Sequence, residues 1–231
     1  MNKNFDPNTV KLISSEQILV SKLNAVKAFV FDWDGVFTSG EKDFELQSRF
    51  NEIDSMGTNL LRFAYYLKNK HLPLAAIISG ENNKAAFTFT NRECFHSNYF
   101  KVANKIDAAR HFCLTHNCTL DQLAFVFDDV LDLSIAEQCG LRIFISRRSA
   151  PLFSDYVIKN NLADIVIQVE ANSNPVRLIC ELLIDLYGLF DEVIAQRVIY
   201  SNNYKNYIEM RRAIHPIYHT VKDGKLIETT V

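Results

Sequence analysis

Two aspartates one residue apart, Asp32 and Asp34 in FVFDWDGVFTSG (residues 29–40), close an apolar run. Residues i and i+2 of an extended segment project to the same side, so both carboxylates can serve one group while Trp33 points elsewhere. Other chemistry-bearing residues sit at the ends of later apolar runs: Ser79 after LAAII, and Asp128 and Asp129 after LAFVF, with Asp132 one helical turn on. Lys105 opens the helical stretch before that last run. Carboxylates gathered at one place repel each other unless a cation sits among them, and an all-oxygen donor set suits Mg²⁺, which keeps waters and substrate phosphate in its shell. A metal and a lysine neutralise phosphate oxygens, a hydroxyl donates a hydrogen bond, one carboxylate attacks and another moves protons; together these are the parts of phosphoryl transfer. Singly, an aspartate after a strand is an ordinary N-cap and an Asp-Asp pair an ordinary turn. Jointly, at successive run ends, they point to a phosphatase.

The elements that must position these residues are legible as apolar runs at 28–32, 74–79, 123–128, 141–146 and 164–169, bounded by polar or turn residues. Helical periodicity fills 57–70, 83–92, 103–116, 131–139 and 174–187, with a further short strand near 95–99. Strands alternating with helices predict a doubly wound (Rossmann-like) α/β fold, a mostly parallel sheet with helices on both faces. Ligands of such sheets bind beyond the carboxyl ends of the strands, where these residues lie. Residues 40–50, GEKDFELQSRF, read as a small β-hairpin inserted after the first strand of this alternation. The stretch after about 197 is polar and aromatic without clear strand signals.

The 231 residues suit one principal domain, and 25 Lys and Arg against 27 Asp and Glu give no field that would draw the chain to nucleic acid or an anionic membrane. The expected partner is a small phosphorylated molecule. The first 25 residues contain no apolar signal region and no segment reaches the length of a membrane span, which predicts a cytoplasmic protein. Five irregularly spaced cysteines suit reduced thiols, and no disulfide is predicted.

FVFDWDGVFTSG, AIISG, Lys105 and FVFDDVLD resemble, in order, the four motifs of the haloacid dehalogenase superfamily. More narrowly, DGVFTSG, RFNEIDSMG (49–57), NYFKVANK (98–105) and FVFDDVLDLSIAEQCGL (125–141) are similar to the branch that hydrolyses 3-deoxy-D-manno-octulosonate 8-phosphate, a sugar-acid phosphate of lipopolysaccharide biosynthesis. The resemblance implies a catalytic domain over 26–190, flanked by an extension (1–25) and a tail (191–231). It implies that Asp32 is the nucleophile and Asp34 the acid/base, that Mg²⁺ is held by Asp32, Asp128 and the Asp34 backbone carbonyl, and that Ser79, Gly80 and Lys105 hold the phosphoryl group. Asp129 would orient Lys105, Asp132 would support the site, and Arg177 would contact substrate. The short motif intervals leave no room for a cap domain, so the resemblance implies a homotetramer built on the hairpin, with a neighbour's C-terminal segment covering the site. Three departures bear on the substrate and the metal loop: Glu81 replaces a cation, ANSNPVRL (171–178) replaces a glycine-rich loop, and Phe127 stands where the family has glycine.

Other readings are weaker. His111, Cys113, His116 and Cys118 lack the paired spacing of structural zinc sites and read as helix packing. RRSAP (147–151) and the basic residues near 211 read as solvated faces. A phosphorelay receiver module gathers similar groups in a different order, its lysine last. The remaining rival is a catalytically degenerate member that binds a sugar phosphate or scaffolds partners without turnover.

Overall fold

The structure is a computed structural model, and it describes residues 5–45, 47–169 and 173–231. Its strands are β1 (Val10–Leu12), β2 (Ala28–Phe31), β3 (Leu74–Ile78), β4 (Ser97–Phe100), β5 (Leu123–Phe127), β6 (Leu141–Ser146), β7 (Ile165–Gln168), β8 (Ile217–Lys222) and β9 (Lys225–Thr229). They form one sheet in the order β1-β7-β6-β5-β2-β3-β4-β8-β9, parallel throughout except for the outermost pairs β1–β7 and β8–β9. From β2 the chain winds outward one way through β3 and β4, and from β5 the other way through β6 and β7. The crevice between β2 and β5 is therefore the topological switch point, where such sheets bind ligands.

Side chains alternate across the central strand: Phe29, Phe31 and then Trp33 enter the apolar layer on one face, Ala28 and Val30 the layer on the other. The first layer is closed by α1 (Glu16–Ala25), α2 (Glu52–Asn69), α3 (Lys84–Arg92), α7 (Pro175–Leu186), α8 (Phe190–Val198) and α9 (Asn202–Arg212). The second is closed by α4 (Lys105–His116), α5 (Leu133–Ala136) and α6 (Pro151–Lys159). Among the described residues no helix is long and apolar enough to cross a membrane.

Two expectations are corrected. The segment 40–50 is a loop, with no paired strands among its described residues. Asp43 Oδ1 accepts the N–H groups of Glu45 and Gln47, and the Gln47 side chain reaches the Asn82 carbonyl and Lys84 N–H. Side chains thus satisfy backbone groups that a hairpin ladder would have used. The stretch after 197, in turn, is not strandless: β8 joins β4 and turns into β9 through Asp223 (φ 51°) and Gly224 (φ 72°). The C-terminal residues continue this chain's own sheet.

Candidate active site

Asp32 follows β2, Ser79 follows β3 and Asp128 follows β5, so the sheet delivers all three to one edge. Lys105 is the first residue of α4, and its buried ammonium donates to Asp32 Oδ1 and to Asp132 Oδ1, both at 2.6 Å. Burial alone would lower the lysine's pKa, but Asp32 and Asp132 outweigh it and raise it, so the ammonium is charged. Burial and the neighbouring Asp132 carboxylate push Asp32 well above the usual carboxylate range, and the same two causes push Asp128 up to about 7. Asp132 is raised chiefly by burial, against the pull of Lys105. Of these three crowded acids, the Lys105 ammonium pairs with two, Asp32 and Asp132.

One oxygen each of Asp32, Asp128 and Asp132 lie within 4.8 Å of one another. Asp132 is committed, since Oδ1 binds Lys105 and Oδ2 accepts the Asp129 N–H at 3.3 Å. Asp128 Oδ1 is buried with no hydrogen-bond partner, a costly state for a carboxylate oxygen unless a cation meets it. Hard oxygen donors, excess negative charge and this unpartnered atom fit a divalent ion such as Mg²⁺, with Asp32 and Asp128 as the carboxylates free to hold it.

Gly35 explains the glycine of the D-x-D-G run. Its φ is +88°, and a Cβ added there would lie 1.8 Å from Asp128 Oδ2, so only glycine lets the loop after β2 approach this carboxylate. Asp34 lines the same cleft, its Oδ1 accepting from Ser48 Oγ at 2.9 Å and its Oδ2 pairing with Lys42 at 3.1 Å. Trp33 turns into the core, packs on Phe37, Phe50 and Phe89, and donates to Ser48 Oγ, steadying the hydroxyl that holds Asp34. Ser79 Oγ accepts the Glu81 N–H at 3.1 Å, an ST-turn that brings Gly80 and Glu81 to the cleft wall.

The cleft brings together Asp32, Asp34, Ser79, Gly80, Lys105, Asp128, Asp129 and Asp132, enclosing about 240 Å³. Two predicted roles are corrected. Asp129 does not orient Lys105; its Oδ1 caps the short turn Val130–Asp132 through the Val130 N–H at 2.7 Å, and Asp132 takes the lysine because that turn carries it inward. Arg177 is not at the cleft: its backbone N–H binds Asp54 of α2 at 2.8 Å and its guanidinium binds Glu181 one turn on, so it fastens α7 to α2. Of the 171–178 loop, 171 and 172 lie outside the described residues. The Phe127 ring enters the core, between Phe125 and Phe144.

Arg147 was missed. It follows β6, donates to the Gly35 carbonyl and approaches Asp128 Oδ2 at 3.6 Å. The rule that found Asp32 and Asp128, looking at the residue after each buried strand, would have found it too; the run of two arginines read instead as a solvated patch. Beyond Arg147 and Ser39 the cleft continues into a groove of about 450 Å³ walled by the 38–50 loop, with Lys42, Arg49, Glu41 and Asp43 on it.

No family model matches the chain. Solved structures do. A HAD (haloacid dehalogenase) superfamily, subfamily III A, hydrolase from Legionella pneumophila is 23% identical at a TM-score of 0.63, covering 79% of this chain and 95% of its own. The 3-deoxy-D-manno-octulosonate 8-phosphate phosphatase of Moraxella catarrhalis, solved with magnesium, phosphate and KDO, is 22% identical at a TM-score of 0.62, covering 78% and 98%. The cobalt-bound deoxy-D-mannose-octulosonate 8-phosphate phosphatase from Haemophilus influenzae is 20% identical at a TM-score of 0.58, covering 73% and 93%. At these identities the likeness is one of architecture, and the chain has the α/β fold of the haloacid dehalogenase superfamily hydrolases.

Proposed function

We propose that the protein is a Mg²⁺-dependent phosphomonoester hydrolase acting through an aspartyl-phosphate on Asp32, with a phosphorylated sugar or sugar acid as substrate. The observation that carries this reading is Lys105 shared between Asp32 and Asp132 beside the unpartnered oxygen of Asp128. That arrangement holds one carboxylate rigidly, supplies a fixed positive charge for phosphoryl oxygens, and leaves a donor set for a cation. Asp32, Asp128 and the Asp34 backbone carbonyl would hold Mg²⁺, whose charge neutralises phosphoryl oxygens when bound.

Asp32 attacks phosphorus as the leaving oxygen departs. Asp34, held by Ser48 and Lys42 rather than by Lys105, protonates that oxygen and then takes a proton from the water that hydrolyses the acyl phosphate. Ser79, the Gly80 backbone and Lys105 hold the phosphoryl oxygens, and Asp132 keeps the lysine in place. The groove beyond Arg147 offers mixed charge and hydroxyls over a volume that accepts a polyhydroxylated leaving group. The phosphatases of like fold named above support the sugar-acid assignment.

The open cleft and the fully exposed Phe44, carried on the same loop that walls the groove, support a homo-oligomer, a tetramer by resemblance, in which a neighbour covers that groove. Since this chain's β8 and β9 are built into its own sheet, only residues beyond β9 or another surface can do the covering. The five free cysteines and the substrate class of this reading support a cytoplasmic location. A phosphatase screen over sugar and sugar-acid phosphates, with Mg²⁺ and with a chelator, tests the whole: release that needs Mg²⁺ is expected, and no release from any phosphomonoester would favour the binding-only alternative.

A further inference from the structure

One hydroxyl beneath the cleft has no freedom left in its hydrogen bonds. Ser48 is 4% exposed, and its Oγ meets Trp33 Nε1 at 3.3 Å, Asn83 Nδ2, and Asp34 Oδ1 at 2.9 Å. The direction of each bond follows from the partner. An indole N–H can only donate. Asn83 caps α3, its Oδ1 accepting the Ala85 N–H at 2.9 Å, so the amide nitrogen is the end turned to Ser48, and it too only donates. Both lone pairs of Ser48 Oγ are then taken, and its single proton goes to Asp34 Oδ1. Trp33 and Asn83 are both buried, Trp33 packed among Phe37, Phe50 and Phe89, so the core holds the two donors in place.

We propose that Ser48 is a positioning residue for the acid/base step: by filling Asp34 Oδ1 it leaves Oδ2 as the oxygen that hands the proton to the leaving group. This role rests on the phosphatase reading, in which Asp34 protonates the leaving oxygen. A carboxyl oxygen that already accepts a hydroxyl proton serves as the carbonyl oxygen of the protonated acid, and the O–H falls on the other. That other oxygen lies on the open side. Oδ2 pairs with Lys42 Nζ at 3.1 Å, and Lys42 lines the groove that would take the leaving group. The Lys42 side chain is 24% exposed, whereas Oδ1 faces the buried hydroxyl. The leaving oxygen therefore takes the place at Oδ2 that Lys42 holds in the free protein. As Asp32 bonds to phosphorus, the electron pair of the breaking P–O bond stays on the leaving oxygen, which takes the Oδ2 proton. Asp34 is left as a carboxylate, stabilised by the Ser48 hydroxyl through a charge-assisted hydrogen bond.

The test is the dependence on the leaving group. With Mg²⁺, kcat/KM of the full-length protein is measured on phosphomonoesters of para-nitrophenol, phenol and a simple alcohol, because this ratio reports the step in which the leaving group departs. A basic leaving oxygen needs the proton more than an acidic one, so a misplaced acid costs most on the alkyl ester. Ser48→Ala is expected to lose about 10-fold or more on the alkyl ester and several-fold less on para-nitrophenyl phosphate. Trp33→Phe keeps an aromatic ring in the core and removes one donor to Ser48; a smaller loss with the same trend is expected, and this variant decides the matter if denaturant unfolding shows that Ser48→Ala does not fold. A loss of equal size across the series, or no loss, would overturn the proposal while wild-type turnover leaves the phosphatase reading standing. No turnover of any ester by the wild type would remove both.

Discussion

Charge and space at single residues decide what this cleft can do. Lys105 is the counterion of both Asp32 and Asp132, so Lys105→Met leaves two buried carboxylates unpaired. It is expected to destabilise the fold by about 3 kcal/mol or more and to remove turnover, checked by denaturant unfolding alongside a phosphate assay. Gly35→Ala makes a sharper test, because it changes no charge. Its methyl would collide with Asp128 Oδ2 and its φ is unfavourable, so the carboxylate must move. A loss of roughly 100-fold in turnover with weakened Mg²⁺ binding, read by calorimetry, is expected on the precedent of ångström-scale displacements in active sites. Unaltered Mg²⁺ affinity would show that Asp128 is not a ligand.

The elements carry the site by their order, and that order was legible in the sequence. Continuous apolar runs such as LAFVF belong to central parallel strands whatever follows them, so Asp32, Ser79 and Asp128 could be placed at one edge before any contact was known. What lay beyond those runs was harder. Choosing Asp129 over Asp132 as the partner of Lys105 turned on the geometry of one short turn, which spacing does not resolve. The β8–β9 pair was hidden by exposed, charged strands, although Asp223-Gly224 between them is a strong hairpin signal. The hairpin expected at 40–50 failed for the opposite reason, polar side chains competing for its backbone.

The N-terminal extension also proved to be part of the sheet, and one residue fastens it. Asp164, preceding β7, accepts from Ser14 Oγ at 2.8 Å, from Lys22 at 2.7 Å and from Arg142. Burial alone would raise its pKa, but the hydrogen bonds from Arg142, Lys22 and Ser14 hold it down to about 2. A depressed carboxylate contributes stability that is present above its ordinary value of 3.8 and is lost as pH falls through about 2. Asp164→Asn should therefore destabilise the protein at neutral pH by roughly 3 kcal/mol, with the difference from wild type shrinking across that acid window in urea titrations. An unchanged midpoint at pH 7 would remove the residue from this role.

In the whole molecule, a sheet of nine strands among the described residues carries the cleft at its switch point, and that cleft stands open in a single chain. If assembly closes it through the 38–50 wall, light scattering will give a multiple of the chain mass, and Phe44→Asp will reduce that multiple without touching Asp32. A monomer at micromolar concentration would leave the groove exposed and the assembly reading wrong. Asp32 is the residue on which turnover depends, and Asp32→Asn isolates its role because the amide keeps the shape and cannot attack phosphorus. With Mg²⁺ and an aryl phosphate, wild type should release phosphate and the variant should fall by roughly 1,000-fold or more while unfolding at a comparable denaturant concentration. Turnover by Asp32→Asn within a few-fold of wild type would mean that Asp32 is not the nucleophile.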